Sequence, residues 1–185
     1  MVKEPRPGRV KTRLGREIGM TTAAWWFRHQ TAQLIRRLQD PRWRVVLAVT
    51  PDREGQSSRV WPKHIDRIPQ KRGSLGHRMA CALRSQPPGP VCVIGADIPQ
   101  ITRAHIAGAF SALGTAEAVF GPAPDGGYWL VGLKNARPAP ASLFENVRWS
   151  SEHALADTVA SLGDLRVTYI DKLRDVDTVD DLRMT

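Results

Sequence analysis

Cysteine is scarce in this chain of 185 residues: Cys81 and Cys92 are its whole complement. Both sit in apolar runs, MACAL and VCVIG, where a thiol behaves as a small hydrophobe, so neither a disulfide scaffold nor a cysteine-rich zinc site organises the fold. No run of 18 apolar residues occurs and no hydrophobic leader follows Met1. The expectation is therefore a cytoplasmic protein without a membrane contact. Repeats and low-complexity tracts are also missing. The five histidines, His29, His64, His77, His105 and His153, show neither ligand spacing nor a serine or cysteine partner, which sets aside a zinc hydrolase or a histidine triad. Acids are outnumbered, 18 against 27 bases, leaving a formal charge of +9.

That charge implies an anionic partner, and its distribution narrows the choice. Residues 1–16 carry Lys3, Arg6, Arg9, Lys11, Arg13 and Arg16 against Glu4 alone, so six bases less one acid place +5 of the total in one short segment. No recognition-helix or RNA-binding-sheet pattern accompanies it, and the charge does not run along a stripe, so nucleic acid is not the expected partner. A phosphate ligand fits better.

Hydrophobic periodicity predicts a helix over residues 20–39, with Ala24, Phe27, Leu34, Ile35 and Leu38 on one face. Strands are read at 43–50, 91–95, 118–120, 128–133 and 166–170, and helices at 75–85, 105–113 and 152–162. The stretch from Asp52 to Gly73, rich in Gly, Ser, Lys and Arg, is read as irregular. Apolar strands alternating with helices predict an α/β fold, a mostly parallel sheet with helices on both faces, folded as a single domain over 1–185. In such sheets ligands collect beyond the carboxyl ends of strands.

The polar motifs fall at those ends. In KEPRPGRVKTRL, two prolines stiffen the backbone and Gly8 leaves room for close approach. Arg6, Arg9, Lys11 and Arg13, with the Thr12 hydroxyl, suit a polyphosphate, although Walker spacing is absent. In VIGADIP, Asp97 follows a buried strand and offers a carboxylate to Mg2+ or Mn2+; as an ordinary alternative it turns the chain or caps the next helix. In GPAPDGGYWLVGL, Asp125, Gly126 and Gly127 read first as a hairpin turn, while also leaving Asp125 available to an acceptor. In DVDTVDDL, Thr178 reads as a helix N-cap with Asp180 and Asp181 in the first turn. Asp175 and Asp177 are surplus to that cap, and one of them is a candidate for a second metal ligand. Trp25, Trp26 and Trp43 read as core, whereas Trp129 and Trp149 adjoin candidate loops where a base or sugar can stack.

Taken in order, K-x-P-x-P-G-R-V-K-T-R-L, G-x-L-G-x-R-M, G-A-D-I-P, P-D-G-G-Y-W-L-V-G-L, V-R-W-S and D-V-D-T-x-D-D-L, the chain resembles a bacterial family of glycosyltransferase A-like proteins. These are often labelled arsenosugar-biosynthesis glycosyltransferases and are distantly similar to phospholactate and molybdenum cofactor guanylyltransferases. The resemblance implies a Rossmann-like nucleotide-diphospho-sugar transferase fold. It further implies phosphate binding by Lys3, Pro7, Gly8, Arg9, Lys11, Thr12 and Arg13 with Gly73 and Arg78, and an acceptor side at Asp125, Gly126, Gly127 and Trp149. A Mg2+ or Mn2+ ion would sit on Asp97, Asp175 and Asp177, with Lys11, Arg13, Asp97 and Asp125 as the catalytic set. The substrates expected are a nucleotide sugar, or a nucleoside triphosphate in a guanylyltransferase-like reaction, and a small-molecule acceptor; a homodimer is compatible with this reading. The family carries an apolar strand ahead of K-x-P, whereas Val2 follows directly on Met1 here, so the first strand is expected to be cut short or to begin upstream. Ser74 and His77 stand where the family pattern leads one to expect acids.

Overall fold

The computed structural model describes residues 1–184. In chain order it contains β1 (Val2–Lys3), α1 (Thr12–Ile18), α2 (Met20–Arg37), β2 (Val46–Thr50), α3 (Asp52–Ser57), β3 (Asp66–Pro69) and α4 (Leu75–Arg84). There follow β4 (Val91–Ile94), α5 (Arg103–Ala112), β5 (Ala118–Pro122), β6 (Tyr128–Leu133), α6 (Ala154–Ala160), β7 (Val167–Tyr169) and α7 (Val179–Arg183). This is an α/β architecture, as the alternation of apolar strands and helices predicts. The residues gather into two compact units, one comprising Met1–Gln70, Gly95–Arg103 and the stretch from Arg174 on, the other Lys71–Ile94 and Ala104–Leu173.

The first unit is built on a three-stranded sheet in the order β1-β2-β3, all parallel. Its short first strand is held on both sides of the chain: Val2 pairs with Val49, and the buried Gln70 side chain donates from Nε2 to the Val2 and Ala48 carbonyls at 2.9 and 2.7 Å. α2 buries Ala23, Ala24, Phe27, Gln30, Thr31, Leu34 and Ile35. Phe27 and Ile35 meet Val2, Val10, Leu47, Val49 and Trp61 in one apolar cluster. The same 3.6-residue spacing corrects one expectation. Trp25 and His29 share the opposite face, so Trp25 is 63% exposed and stacks on His29 at 4.8 Å instead of entering the core. Order also extends through 52–73, read from the sequence as irregular, because it contains α3 and β3. Arg67 on β3 donates to the carbonyls of Gln56, Ser58 and Trp61 at 2.7, 2.8 and 2.9 Å, a tether that no hydrophobic periodicity announces.

The second unit carries a four-stranded sheet in the order β4-β6-β5-β7. Within it β6 alone is reversed, antiparallel to β4 and β5, while β5 and β7 are parallel. The reversal follows from the hairpin read at Asp-Gly-Gly: Ala123 N–H donates to the Gly127 carbonyl at 2.9 Å. Val119, Phe120, Leu130, Val131 and Leu133 are fully or almost fully buried along β5 and β6.

Candidate active site

The first unit assembles a charged site from three segments far apart in sequence. Beyond β1, the Glu4 N–H donates to the Thr50 carbonyl at 2.8 Å, and the loop closes with Arg9 N–H on the Arg6 carbonyl at 3.0 Å. Val10 then anchors it in the apolar cluster. Lys11, at the N-cap of α1, has φ 46° and ψ 49°, a left-handed conformation that costs a non-glycine residue about 1 kcal/mol or more. The bend delivers its side chain into a pair of carboxylates. Lys11 Nζ donates to Asp177 Oδ1 at 2.6 Å and contacts Asp97 Oδ2, with only 7% of the side chain exposed. Arg13, in the first turn of α1 and largely exposed, reaches Asp177 Oδ2 at 3.4 Å.

The acids are positioned as tightly as the lysine. Gly95 lets the Ile98 and Asp97 side chains lie close to the backbone, since a Cβ there would lie 2.6 Å from Ile98 Cδ1 and 3.1 Å from Asp97 Oδ1. The Asp97 carbonyl accepts from Val176 N–H at 3.1 Å. Val176 is wholly buried with Leu14 and Ala23, so Asp175 and Asp177, its neighbours on either side, are turned away from that cluster. Asp181 fixes the end of the segment: its Oδ2 accepts from the Asp177 N–H, the Thr178 N–H and the Thr178 hydroxyl at 3.1, 2.9 and 2.7 Å. Thr178 Oγ1 accepts in return from Asp181 N–H, which completes the capping box of α7. The N-cap reading of Thr178 thus holds, and the cap also orients the backbone of an acid in the site.

Asp97, Asp175 and Asp177 each present one oxygen, and these three oxygens lie within 4.8 Å of one another. A set of convergent carboxylates is the donor chemistry of Mg2+ or Mn2+, and these residues fit such an ion. Burial alone would lower the Lys11 pKa, but the nearby charges of Asp97 and Asp177 and their hydrogen bonds outweigh it, and the group stands above its ordinary value. Lys11 is therefore a fixed cation at neutral pH. The site as a whole sets three carboxylates against two cationic side chains of the kind that bond phosphate.

Other expected residues fall elsewhere. Pro7, Gly8 and Arg9 are exposed on the loop before Lys11, Lys3 is exposed at the end of β1, and Thr12 opens α1. Gly73, Arg78, Asp125, Gly126, Gly127 and Trp149 belong to the second unit. There Asp125 Oδ1 accepts from Gly127 N–H at 3.0 Å, an Asx-type turn. Gly126, at φ 85°, packs so closely that a Cβ would lie 2.2 Å from the Glu152 carbonyl oxygen; its openness serves the chain itself. Gly73, at φ 122°, makes room for the His77 ring.

Two sequence readings are corrected in this unit. Trp129 is 3% exposed, seated over Gly121, and its indole N–H donates to the Asp171 carbonyl at 2.9 Å, so it has no free face for a base or sugar. His77 does have a cysteine partner: its Nε2 lies 3.4 Å from Cys81 Sγ, one helical turn on. The H-x-x-x-C spacing carried that signal, which the apolar setting of Cys81 obscured. Cys92 does behave as a small hydrophobe, and burial pushes its thiol up to about 12. Among the described residues no helix is long and apolar enough to cross a membrane.

Residues 33–151 match the family model described as "Uncharacterized protein conserved in bacteria (DUF2064)". The match takes in Asp97, whereas Lys11, Asp175 and Asp177 lie outside it. None of the curated proteins compared matches the chain by sequence. Among solved structures, the chain is similar to a protein from Desulfovibrio desulfuricans G20 provisionally described as a nucleotide-diphospho-sugar transferase. That similarity has 28% identity and a TM-score of 0.85 over 99% of this chain and 82% of the other. At 11% identity, 4-diphosphocytidyl-2C-methyl-D-erythritolsynthase from Anaerococcus prevotii DSM 20548 shares the fold, with a TM-score of 0.59 over 85% of this chain and 83% of that one. An Rv0371c homolog from Mycobacterium sp. strain JC1 does so at 17% identity and a TM-score of 0.55, over 85% and 80%.

Proposed function

Because the chain belongs to the bacterial family DUF2064 and has the fold of a nucleotide-diphospho-sugar transferase, we propose that it transfers a glycosyl group from a nucleotide sugar to a small-molecule acceptor, with Mg2+ or Mn2+ as cofactor. The observation that carries this reading is the convergence of Asp97, Asp175 and Asp177, two of which, Asp97 and Asp177, hold the buried Lys11 ammonium. Asp97, Asp175 and Asp177 would hold the cation. When bound, such an ion offsets the charge of a diphosphate and of the nucleoside diphosphate that departs.

The electrostatics of the chain's own residues support that pairing. Three carboxylates against the two cationic side chains Lys11 and Arg13 leave the site net negative, which favours a cation there. Lys11 then has a second use for its N–H groups, because a diphosphate on the cation can take the bonds now made to Asp97 and Asp177. Arg13, exposed and already aimed at Asp177, is placed to extend the same cationic edge. Both side chains stabilise negative charge that grows as the bond to the diphosphate breaks.

The test is turnover of a panel of nucleotide sugars with and without Mn2+. Asp97→Asn is expected to lower kcat/KM by about 100-fold or more, and full activity of that variant would sink the reading. The product identifies the bond broken. A free nucleoside diphosphate agrees with glycosyl transfer, whereas pyrophosphate from a nucleoside triphosphate would replace it with nucleotidyl transfer to a phosphorylated acceptor.

A further inference from the structure

The second unit contains a cavity of about 530 Å³ between α4 and the 141–149 loop. We infer that it is a second ligand site and that it takes a polyhydroxylated ring, a monosaccharide or a close relative. Trp149 and Phe144 supply its aromatic wall, His77 and Arg84 line it from α4, and Glu145 and Asn146 line it from the loop. The volume falls in the range of small-molecule pockets, roughly 300–1,000 Å³.

The wall is packed against its own unit on several sides. Trp149 lies 6.1 Å from Phe144 and 6.5 Å from Tyr128, and Tyr128 sits edge-on to the buried Phe120 at 5.2 Å. Gly76 is needed for this arrangement: a Cβ there would fall 2.6 Å from Phe144 Cβ and 2.9 Å from Trp149 Cζ2. The loop is tied to α6, with Phe144 N–H on Ser161 Oγ at 3.0 Å and the Ser142 hydroxyl on the Ser161 carbonyl at 2.8 Å. Arg148 clasps Asp157 through Nε and Nη2 at 2.9 and 2.8 Å. Arg84 is steadied at the rim by the Pro140 carbonyl, 3.1 Å from its Nη2.

The backbone here is also unusual. Among the described residues five other than glycine have left-handed φ, and three of them, Phe144 at 68°, Asn146 at 56° and Ser150 at 60°, fall in or beside this loop. Another is Lys11, in the charged site of the first unit. Each such residue costs about 1 kcal/mol or more and persists where its surroundings force it, as functional loops commonly do.

The side chains decide the ligand class. A polyphosphate would meet Glu145 as well as Arg84, and the cavity lacks the concentration of cations seen in residues 1–16. An aromatic wall edged by a carboxylate, an amide, an imidazole and a guanidinium instead suits a ring with an apolar face and hydroxyls around its edge. This inference stands apart from the transferase reading, since it needs neither metal nor nucleotide.

Binding is tested by saturation-transfer NMR and calorimetry on the whole chain in chelator, with glucose, N-acetylglucosamine, glucose 6-phosphate, uridine, guanosine and inorganic phosphate. At least one sugar is expected to bind, and Trp149→Ala should weaken it about tenfold or more. Should Trp149→Ala disturb folding, Asn146→Gly keeps the left-handed backbone while deleting the amide, and is expected to weaken the same sugar about fivefold. Three results would overturn the inference: no sugar binding up to about 10 mM, nucleosides bound in preference to every sugar, or sugar affinity unmoved by Asn146→Gly. Binding that persists in chelator while Mn2+-dependent turnover is never found would leave this site standing and the proposed reaction refuted.

Discussion

The two units organise their polar chemistry in opposite ways. In the first, a lysine meets an aspartate 166 positions away, and the contact depends on a few pinned backbone atoms at Lys11, Gly95 and Val176. In the second, the cavity is made by one helix and one loop, and aromatic packing holds it in shape. The difference teaches where each is vulnerable. The charged site is set by electrostatics and should respond to single charges with little change in fold, whereas the aromatic unit should respond to volume with large changes in stability.

Three substitutions sharpen or break that contrast. Gly126→Val in the second unit places a Cβ against the Glu152 backbone at a left-handed φ, and urea unfolding should show a loss of about 4 kcal/mol; a loss below about 1 kcal/mol would mean that the hairpin yields easily. Lys11→Met in the first unit removes the ammonium from Asp97 and Asp177. Calorimetry without nucleotide should then find Mn2+ bound about tenfold more tightly, with donor KM raised. Weaker Mn2+ binding would show that the ammonium supports the cation site instead of competing for it.

Asp181→Asn should have the smallest effect, about 1 kcal/mol of stability and a few-fold loss of Mn2+ affinity through the Asp177 backbone. Its pH dependence gives a second readout. Burial would raise the Asp181 pKa, but hydrogen bonds from Thr178, the Asp177 amide and Arg174 bring it below its ordinary value of 3.8. Because the folded pKa is the lower one, its contribution is complete above that ordinary value and is lost as pH falls through the folded pKa. Wild-type and Asp181→Asn stabilities should differ near neutrality and converge in strong acid; a constant gap would deny the carboxylate this role.

What could be read from the sequence was whatever local pattern controls. α2 followed its apolar face, and the hairpin between β5 and β6 followed Asp-Gly-Gly. The surplus of Asp175 and Asp177 over the needs of a helix cap pointed to the acids that meet Asp97. What escaped depends on distant partners. β3 is only four residues long and is stabilised by register with β2. Trp129 is claimed by Asp171, beyond the reach of any periodicity. The left-handed turn at Lys11 had no marker either, since glycine or asparagine is the usual signal for that geometry. Asp181 was legible as part of a cap, but not as the anchor of a neighbouring acid.

Arg67 has one more consequence. Its guanidinium gathers the carbonyls of Gln56, Ser58 and Trp61, so the chain between the end of α3 and the buried Trp61 is tied to the edge strand by one side chain in addition to the packing of Trp61. A nick by a protease within that stretch therefore reports on whether β3 is seated. Lysine at this position, with one ammonium in place of a planar fork, could not close the same knot.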